Sequence, residues 1–140
     1  MRVNLKEIIT SKILESKTPA YFDSLIKTKI IELKEGESTL SMVIRKEHLN
    51  DLGVVHGGVL SSFADIAMGI TCMTYDKKAV TSDLHIAFIR PVGLGATITA
   101  EAKVINNGKS LIRVGCLICD ETKKIVASAD ATFFVTGVIE

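Results

Sequence analysis

The segment HGGVLSSFAD, from His56 to Asp65, combines residue types that can hold and activate a carbonyl group. If a helix begins at Gly57, its first backbone N–H groups lack intrahelical acceptors and carry the positive end of the helix dipole. Glycine at positions 57 and 58 leaves these amides open to close approach by an oxyanion. The other interpretation is that the two glycines only form a tight turn into the helix.

Asp65 is the single carboxylate in the apolar run that follows the glycines. It lies nearly opposite the helical face made by Leu60, Phe63, Ala67, Ile70 and Thr74. Its neighbours three and four positions away are mostly small, namely Ser61, Ser62, Met68 and Gly69. A carboxylate in such a slot can serve as a general base or a nucleophile, whereas the alternative is a solvated polar face of the helix.

The spacing of Gly57 and Asp65 has a geometric consequence. Eight residues at the helical rise separate them by about 12 Å, too far for one reacting atom to touch both. Two copies of the helix, side by side and antiparallel, would bring the Gly57 amide of one subunit to Asp65 of the other. The simplest arrangement is therefore an isologous homodimer with two equivalent sites.

The elements that position these residues follow from hydrophobic periodicity. A short amphipathic helix is expected at about residues 4–16, with Asn4 and Glu7 placed as a capping pair, and a long apolar helix from Gly57 to about Tyr75. Strands are expected across 22–33, 38–45, 79–90, 96–106, 109–120 and 124–135, with turns at 34–38, 107–108 and 120–124. The last four strands are expected to form a meander. This order predicts an α+β fold, with helices on one face of an antiparallel sheet of about six strands.

Composition places limits on the class of protein. The 140 residues fit a single domain, residues 1–140, and 17 basic side chains nearly balance 16 acidic ones, which argues against nucleic acid as a partner. No apolar run is long enough to cross a membrane. Three cysteines and a beginning, MRVNLKEIIT, that lacks a signal-peptide core indicate a reduced, cytoplasmic setting.

The stretch HLNDLGVVHGGVLSSFADIAMG resembles the signature of hotdog-fold acyl-CoA thioesterases of the phenylacetate-degradation (PaaI-like) type and of thioesterase superfamily member 2. The resemblance runs from about His48 to the C-terminus. It implies a central helix wrapped by a curved antiparallel sheet, dimers joined edge to edge, and pairing of dimers into a homotetramer. It also implies hydrolysis of an aryl- or fatty acyl-CoA, with coenzyme A as part of the substrate and no separate cofactor.

The resemblance assigns roles to individual residues. Asp65 matches the catalytic carboxylate, Gly57 the amide that polarises the thioester carbonyl, with His56 beside it, and Asn50 the side chain that positions substrate or water. Thr81 matches a hydroxyl that assists the water, and Ser82 is its nearest rival. The coenzyme A contacts that it implies fall on Gly58, Arg90, Pro91, Asn107, Gly108, Lys109 and Ser110.

Several alternatives remain open at this stage. A non-catalytic acyl-CoA sensor would have no need of Asp65, and an enoyl-CoA hydratase-like hotdog protein would pair a histidine with an acid. A metal site is not expected, because His48, His56 and His85 lack supporting ligand spacing. Cys116 and Cys119 lie three apart in a predicted strand, where their side chains point to opposite faces.

Overall fold

The computed structural model describes residue 4, residues 7–9 and residues 21–139. Six strands form one antiparallel sheet that curves around a long helix, which contacts five of the strands. The helices are α1 (Asp23–Ile26) and α2 (Gly57–Met73), with a 3-10 turn at Lys46–His48. The strands are β1 (Lys29–Lys34), β2 (Glu37–Val43), β3 (Lys77–Phe88), β4 (Thr97–Asn107), β5 (Leu111–Cys119) and β6 (Ile125–Val138).

The order of the strands corrects the predicted meander. The sheet runs β1-β2-β4-β5-β6-β3, so of the last four strands only β4, β5 and β6 follow one another as neighbours, and β3 lies at the far edge beside β6. The connection of residues 89–96 must pass three strand spacings, about 14 Å, and eight extended residues can span about 27 Å. Sequential strands pair by default, and no local pattern signals this crossing.

Helix α2 forms the centre of the core, as its apolar sequence predicts. All five residues of the predicted buried face, Leu60, Phe63, Ala67, Ile70 and Thr74, are buried, the last at the helix C-cap. The alternation expected from position 38 is also confirmed, because Leu40, Met42 and Ile44 face the core. The sheet and α2 therefore share one apolar layer, and the half-buried opposite side of α2 carries Ser61, Ser62 and Asp65 beside the apolar Ile66.

Buried hydroxyl groups fix how α2 lies on the sheet. The Ser38 hydroxyl of β2 donates to the Ala67 carbonyl at 3.0 Å and lies 2.7 Å from the Thr71 hydroxyl. One turn later the Gly36 N–H donates to the Thr74 hydroxyl at 2.9 Å. These bonds set the position of the helix along β2, and hence the position of Asp65.

The N-terminal region differs in part from the prediction. The strand expected across 22–33 begins only at Lys29, since Asp23–Ile26 is helical and Lys27 ends that helix in the left-handed conformation, with φ at 53°. Residues 7–9 are helical, and the Glu7 N–H donates to the Asn4 side chain at 3.4 Å. The rest of the helix expected at 4–16 lies outside the described residues.

Candidate active site

The first turn of α2 contains one backbone N–H group that has no acceptor among the described residues. His56 is the N-cap, and its Nδ1 atom accepts from the Gly58 N–H at 2.8 Å. The N–H groups of Val59 and Leu60 donate to the His56 carbonyl at 2.9 and 3.3 Å. Within residues 21–139, the Gly57 N–H is thus the donor that is left over in this turn. This is the amide that the sequence singles out for an oxyanion.

The same contacts define His56 and distinguish the two glycines. Because Nδ1 of His56 accepts a hydrogen bond, the ring hydrogen is on Nε2, and the exposed ring can still donate. The Gly58 amide is occupied, so a contact of Gly58 with a ligand would have to use another atom. His56 is therefore positioned first as a helix cap, a role that the sequence analysis did not assign.

Asp65 lies in the third turn of α2 and is half-buried. Its Oδ1 atom accepts a hydrogen bond from the Thr81 hydroxyl of β3 at 2.6 Å, the short distance typical of a bond to a charged carboxylate. The Oδ2 atom has no protein partner among the described residues. The structure thus brings Asp65 and Thr81 together, with one carboxylate oxygen left for water or a substrate.

Ser82, the rival of Thr81, occupies a different position. It falls in a β-bulge, since Thr81 pairs with Phe133 and Asp83 pairs with Thr132 on β6. Ser82 is exposed, and the hydrogen bond to Asp65 comes from Thr81 instead. Adjacent residues of a strand point to opposite faces, so Thr81 and Ser82 diverge whether or not the strand is bulged here.

Asn50 shapes the loop in front of α2. Its side-chain oxygen accepts from the N–H groups of Leu52 and Val54 at 2.9 and 3.3 Å, which closes the loop over positions 50–54. The carbonyl side of the amide is therefore used internally, and the NH₂ group is the part left to meet a ligand. Asn50 can then act on a substrate as a donor.

His48 is buried and holds the same loop from behind. Its Nδ1 accepts from the Arg45 N–H at 3.0 Å, and its Nε2 lies 2.8 Å from the Leu25 carbonyl. The His48 carbonyl in turn accepts from the His56 N–H at 2.8 Å. His48 thus shapes the turn, as its position in the sequence suggests, and it supports the helix cap.

The residues expected to contact coenzyme A occupy two separate places. Arg90 and Pro91 are exposed and follow β3 near the start of α2, where the Val55 N–H donates to the Val92 carbonyl at 2.8 Å. The β4–β5 hairpin of Asn107, Gly108, Lys109 and Ser110 lies beside the other end of β3. The length of β3 puts roughly 40 Å between the two places. One protomer therefore does not bring them together.

Lys77, which the sequence analysis missed, anchors that hairpin. Its Nζ atom donates to the Asn107 side chain at 2.7 Å and to the Gly108 carbonyl at 3.0 Å. The Gly108 N–H donates to the Leu111 carbonyl at 2.9 Å, which closes the tight turn that the sequence predicts. No sequence pattern indicated the lysine, because its partners lie 30 positions away.

Cysteine and histidine side chains are placed apart from each other. Burial raises the pKa of the Cys72 and Cys116 thiols to about 12, and it also raises the pKa of the half-buried Cys119. His85 is exposed, and its Nδ1 atom lies 3.8 Å from Oδ2 of Asp130 on β6. In the part of the chain that is described, no three His, Cys, Asp or Glu side chains are grouped to hold a metal ion.

The β3 edge, defined as the side of Lys77–Phe88 that faces away from β6, has no partner strand within the described chain. Val80 on this strand and Ile89 just after it are more than half exposed. A long exposed edge strand with apolar side chains is a ready surface for pairing with another chain. Thr81, which bonds Asp65, belongs to the strand that forms this edge.

A model of the thioesterase superfamily matches residues 52–127, more than half of the chain. The chain belongs to the thioesterase superfamily. This thioesterase is 36% identical over 98 residues to acyl-coenzyme A thioesterase PaaI of Escherichia coli, with 70% of each chain covered. It is 27% identical over 113 residues to human acyl-coenzyme A thioesterase 13, with 79% of each chain covered.

Comparison with solved structures leads to the same family as the sequence comparison. The E. coli PaaI protein from the phenylacetic acid degradation operon superposes on this thioesterase with a TM-score of 0.87 at 28% identity, over 97% of each chain. The hotdog fold, the PaaI-type resemblance and the enzyme class of thioester hydrolase are thereby confirmed. None of the helices among the described residues is long and apolar enough to cross a membrane.

Proposed function

We propose that this thioesterase hydrolyses the thioester of an aryl- or fatty acyl-coenzyme A to the free acid and coenzyme A, with Asp65 as the acid–base or nucleophilic group. The observation that carries the proposal is the Asp65 carboxylate, fixed through one oxygen by Thr81 and open at the other. It lies on the helix whose unpaired first-turn amide is Gly57. Names of the relatives support the substrate class, since PaaI and thioesterase 13 are acyl-coenzyme A thioesterases.

The reaction requires the two groups to meet across a homodimer. Pairing along the β3 edge would bring Asp65 of one protomer toward Gly57 of the other, removing the separation of about 12 Å within one helix. Pairing two such dimers gives the homotetramer that the resemblance implies.

In the general-base route, a water oxygen attacks the thioester carbon while its proton passes to Asp65. The carbonyl oxygen becomes an oxyanion held by the Gly57 amide, a type of contact typically worth about 3 to 4 kcal/mol. The C–S bond then breaks, and the sulfur leaves as the coenzyme A thiol after taking up the proton. In the nucleophilic route, the Asp65 carboxylate attacks the thioester carbon and the C–S bond breaks, so that coenzyme A leaves as the thiolate and a mixed anhydride forms. Water then hydrolyses the anhydride to the free acid and the Asp65 carboxylate, and a proton from that water converts the thiolate to the thiol.

The same dimer would assemble the coenzyme A contacts from both protomers. Arg90 and Pro91 of one chain would approach the Asn107–Ser110 hairpin of the other, and the free amides and Lys109 there suit phosphate groups. His56 and the NH₂ group of Asn50 would meet the acyl end of the substrate. The reaction needs no cofactor, and a cytoplasmic supply of acyl-coenzyme A is the expected setting.

The test is release of free thiol from a panel of acyl-coenzyme A substrates, from phenylacetyl to palmitoyl. The parent protein should show turnover, and Asp65→Asn should lower kcat by about 10²- to 10⁴-fold while it still binds substrate. Binding without thiol release by the parent would favour the acyl-CoA sensor instead. Turnover of Asp65→Asn within about threefold of the parent would remove Asp65 from the chemistry.

A further inference from the structure

The place where a side chain at position 57 would begin is occupied by an aromatic ring. A Cβ atom built on Gly57 would lie 3.0 Å from Cζ of Phe88, 3.2 Å from Cε2 and 3.5 Å from Cε1. The first two distances are shorter than ordinary carbon–carbon contact, which is about 3.5 to 4.0 Å, and the third is at its lower limit. By contrast, a Cβ on Gly93 or Gly95 would meet nothing within 4 Å. The tip of the Phe88 ring is therefore seated on Gly57.

Filling of the core does not explain this position of the ring. Phe88 is the last residue of β3, and it is 54% exposed in the protomer. Its backbone is held directly, because it pairs with Ala127 and the next two N–H groups, of Ile89 and Arg90, both donate to the Val126 carbonyl at 2.8 and 3.1 Å. The strand end thus places the ring at the start of α2.

The contact coincides with the one unpaired amide of the first turn. The ring contacts Gly57 at its Cα, one bond from the N–H group, and a ring at that place limits the side from which water or an oxygen can approach. A donor that is fixed and partly shielded from water stabilises an oxyanion more strongly than one surrounded by mobile solvent. A side chain at position 57 would therefore displace the Phe88 ring by a few tenths of an ångström.

We propose that Phe88 is a positioning residue of the thioester site, which holds the Gly57 amide for the carbonyl oxygen and keeps water from it. This inference rests on the proposed hydrolysis and adds a residue that neither the sequence motif nor the Asp65–Thr81 pair indicates. Because Phe88 acts through the Gly57 amide and not on the substrate directly, substituting Phe88 should change kcat and leave KM nearly unchanged.

The first experiment compares Phe88→Leu with Phe134→Leu, a matched control. Phe134 lies on β6 and is 50% exposed, and its ring is not among the atoms nearest to Gly57. The control therefore makes the same Phe-to-Leu substitution at a place that does not contact Gly57. Phe88→Leu should lower kcat about tenfold with KM within about threefold, and Phe134→Leu should leave both close to the parent. The Gly57 Hα resonances should also lose a ring-current shift in Phe88→Leu only. Unchanged kcat in Phe88→Leu would overturn the inference.

The second experiment is a double-mutant cycle with Gly57→Ala. In the parent the added methyl group must push the ring aside, so kcat falls; in Phe88→Leu the methyl group should cost little more. If the loss of kcat in the double variant equalled the product of the two single losses, the Phe88 ring and position 57 would not be coupled, and the proposal would be contradicted. A parent protein without thiol release removes the proposed hydrolysis and this inference with it, whereas an active parent with normal Phe88→Leu kinetics removes this inference alone.

Discussion

At the scale of single residues, the site depends on which hydrogen-bonding groups are already used. The Thr81 hydroxyl donates to one oxygen of Asp65, and the Gly58 N–H donates to the His56 ring. The side-chain oxygen of Asn50 accepts from the backbone of its own loop. What remains is one carboxylate oxygen, one helix amide and one side-chain NH₂ group. These are the groups that the proposed hydrolysis uses.

Thr81 should orient Asp65 without taking part in binding. Thr81→Val keeps the shape of the side chain and removes the hydroxyl, so the carboxylate loses its fixed direction and kcat should fall about tenfold with little change in KM. Thr81→Ser keeps the hydroxyl and should stay close to the parent. Steady-state kinetics on one acyl-coenzyme A decide the matter, and equal rates for the Val and Ser variants would argue against this role.

His56 should contribute to stability as a cap. Its Nδ1 atom accepts from Gly58, so His56→Ala leaves that amide without a side-chain acceptor and should lower the free energy of unfolding by about 1 kcal/mol. Asparagine is a strong N-cap residue, and His56→Asn should restore most of the loss. Chemical denaturation of the three proteins measures this difference. Equal stability of the Ala and Asn variants would show that the cap bond is unimportant.

At the scale of elements, α2 carries both groups that we propose for catalysis, Gly57 and Asp65, and its contacts with β2 decide where they lie. Ser38→Ala removes a buried hydroxyl that bonds the helix at Ala67 and Thr71, and it should cost about 1 kcal/mol of unfolding free energy. Ser41→Ala, on the same strand and with no side-chain partner among the described residues, is the control. A Ser38→Ala variant as stable as Ser41→Ala would contradict this account.

Local sequence patterns predicted the position of α2 but not the place of β3 in the sheet. Helix α2 was predicted within two residues of its end, and the five residues of its predicted apolar face are all buried, because one long apolar run leaves little ambiguity. The buried surface is wider than predicted, since Met68, expected beside Asp65, is buried too. The place of β3 at the edge was not predicted, since it depends on a crossing and not on any local pattern. The contacts of Lys77 and Phe88 were missed for the same reason, because their partners are distant in sequence.

At the scale of the whole molecule, one protomer separates groups that the proposed reaction combines. Gly57 and Asp65 lie on one helix about 12 Å apart, and the proposed coenzyme A contacts lie at opposite ends of β3. The unpaired β3 edge, beside Thr81, offers a surface on which a second copy can complete both. The central claim is therefore that each active site is shared between two chains.

Complementation in mixed dimers tests that claim. Asp65→Asn removes the carboxylate, and Gly57→Pro removes the amide at a helix position that tolerates proline. His56 before it is extended, with φ at −68° and ψ at 137°, which a following proline also favours. Gly57→Ala, which keeps the N–H and adds only the Cβ, is the matched control and should retain more activity than Gly57→Pro.

The decisive measurement is thiol release after the two inactive proteins, Asp65→Asn and Gly57→Pro, are unfolded together and refolded at equal amounts. Half of the dimers should be mixed, and each mixed dimer should hold one intact site, so activity should return to about a quarter of the parent value. A mixture that stays as inactive as its two components, although mixed dimers have formed, would contradict a site shared across the twofold axis.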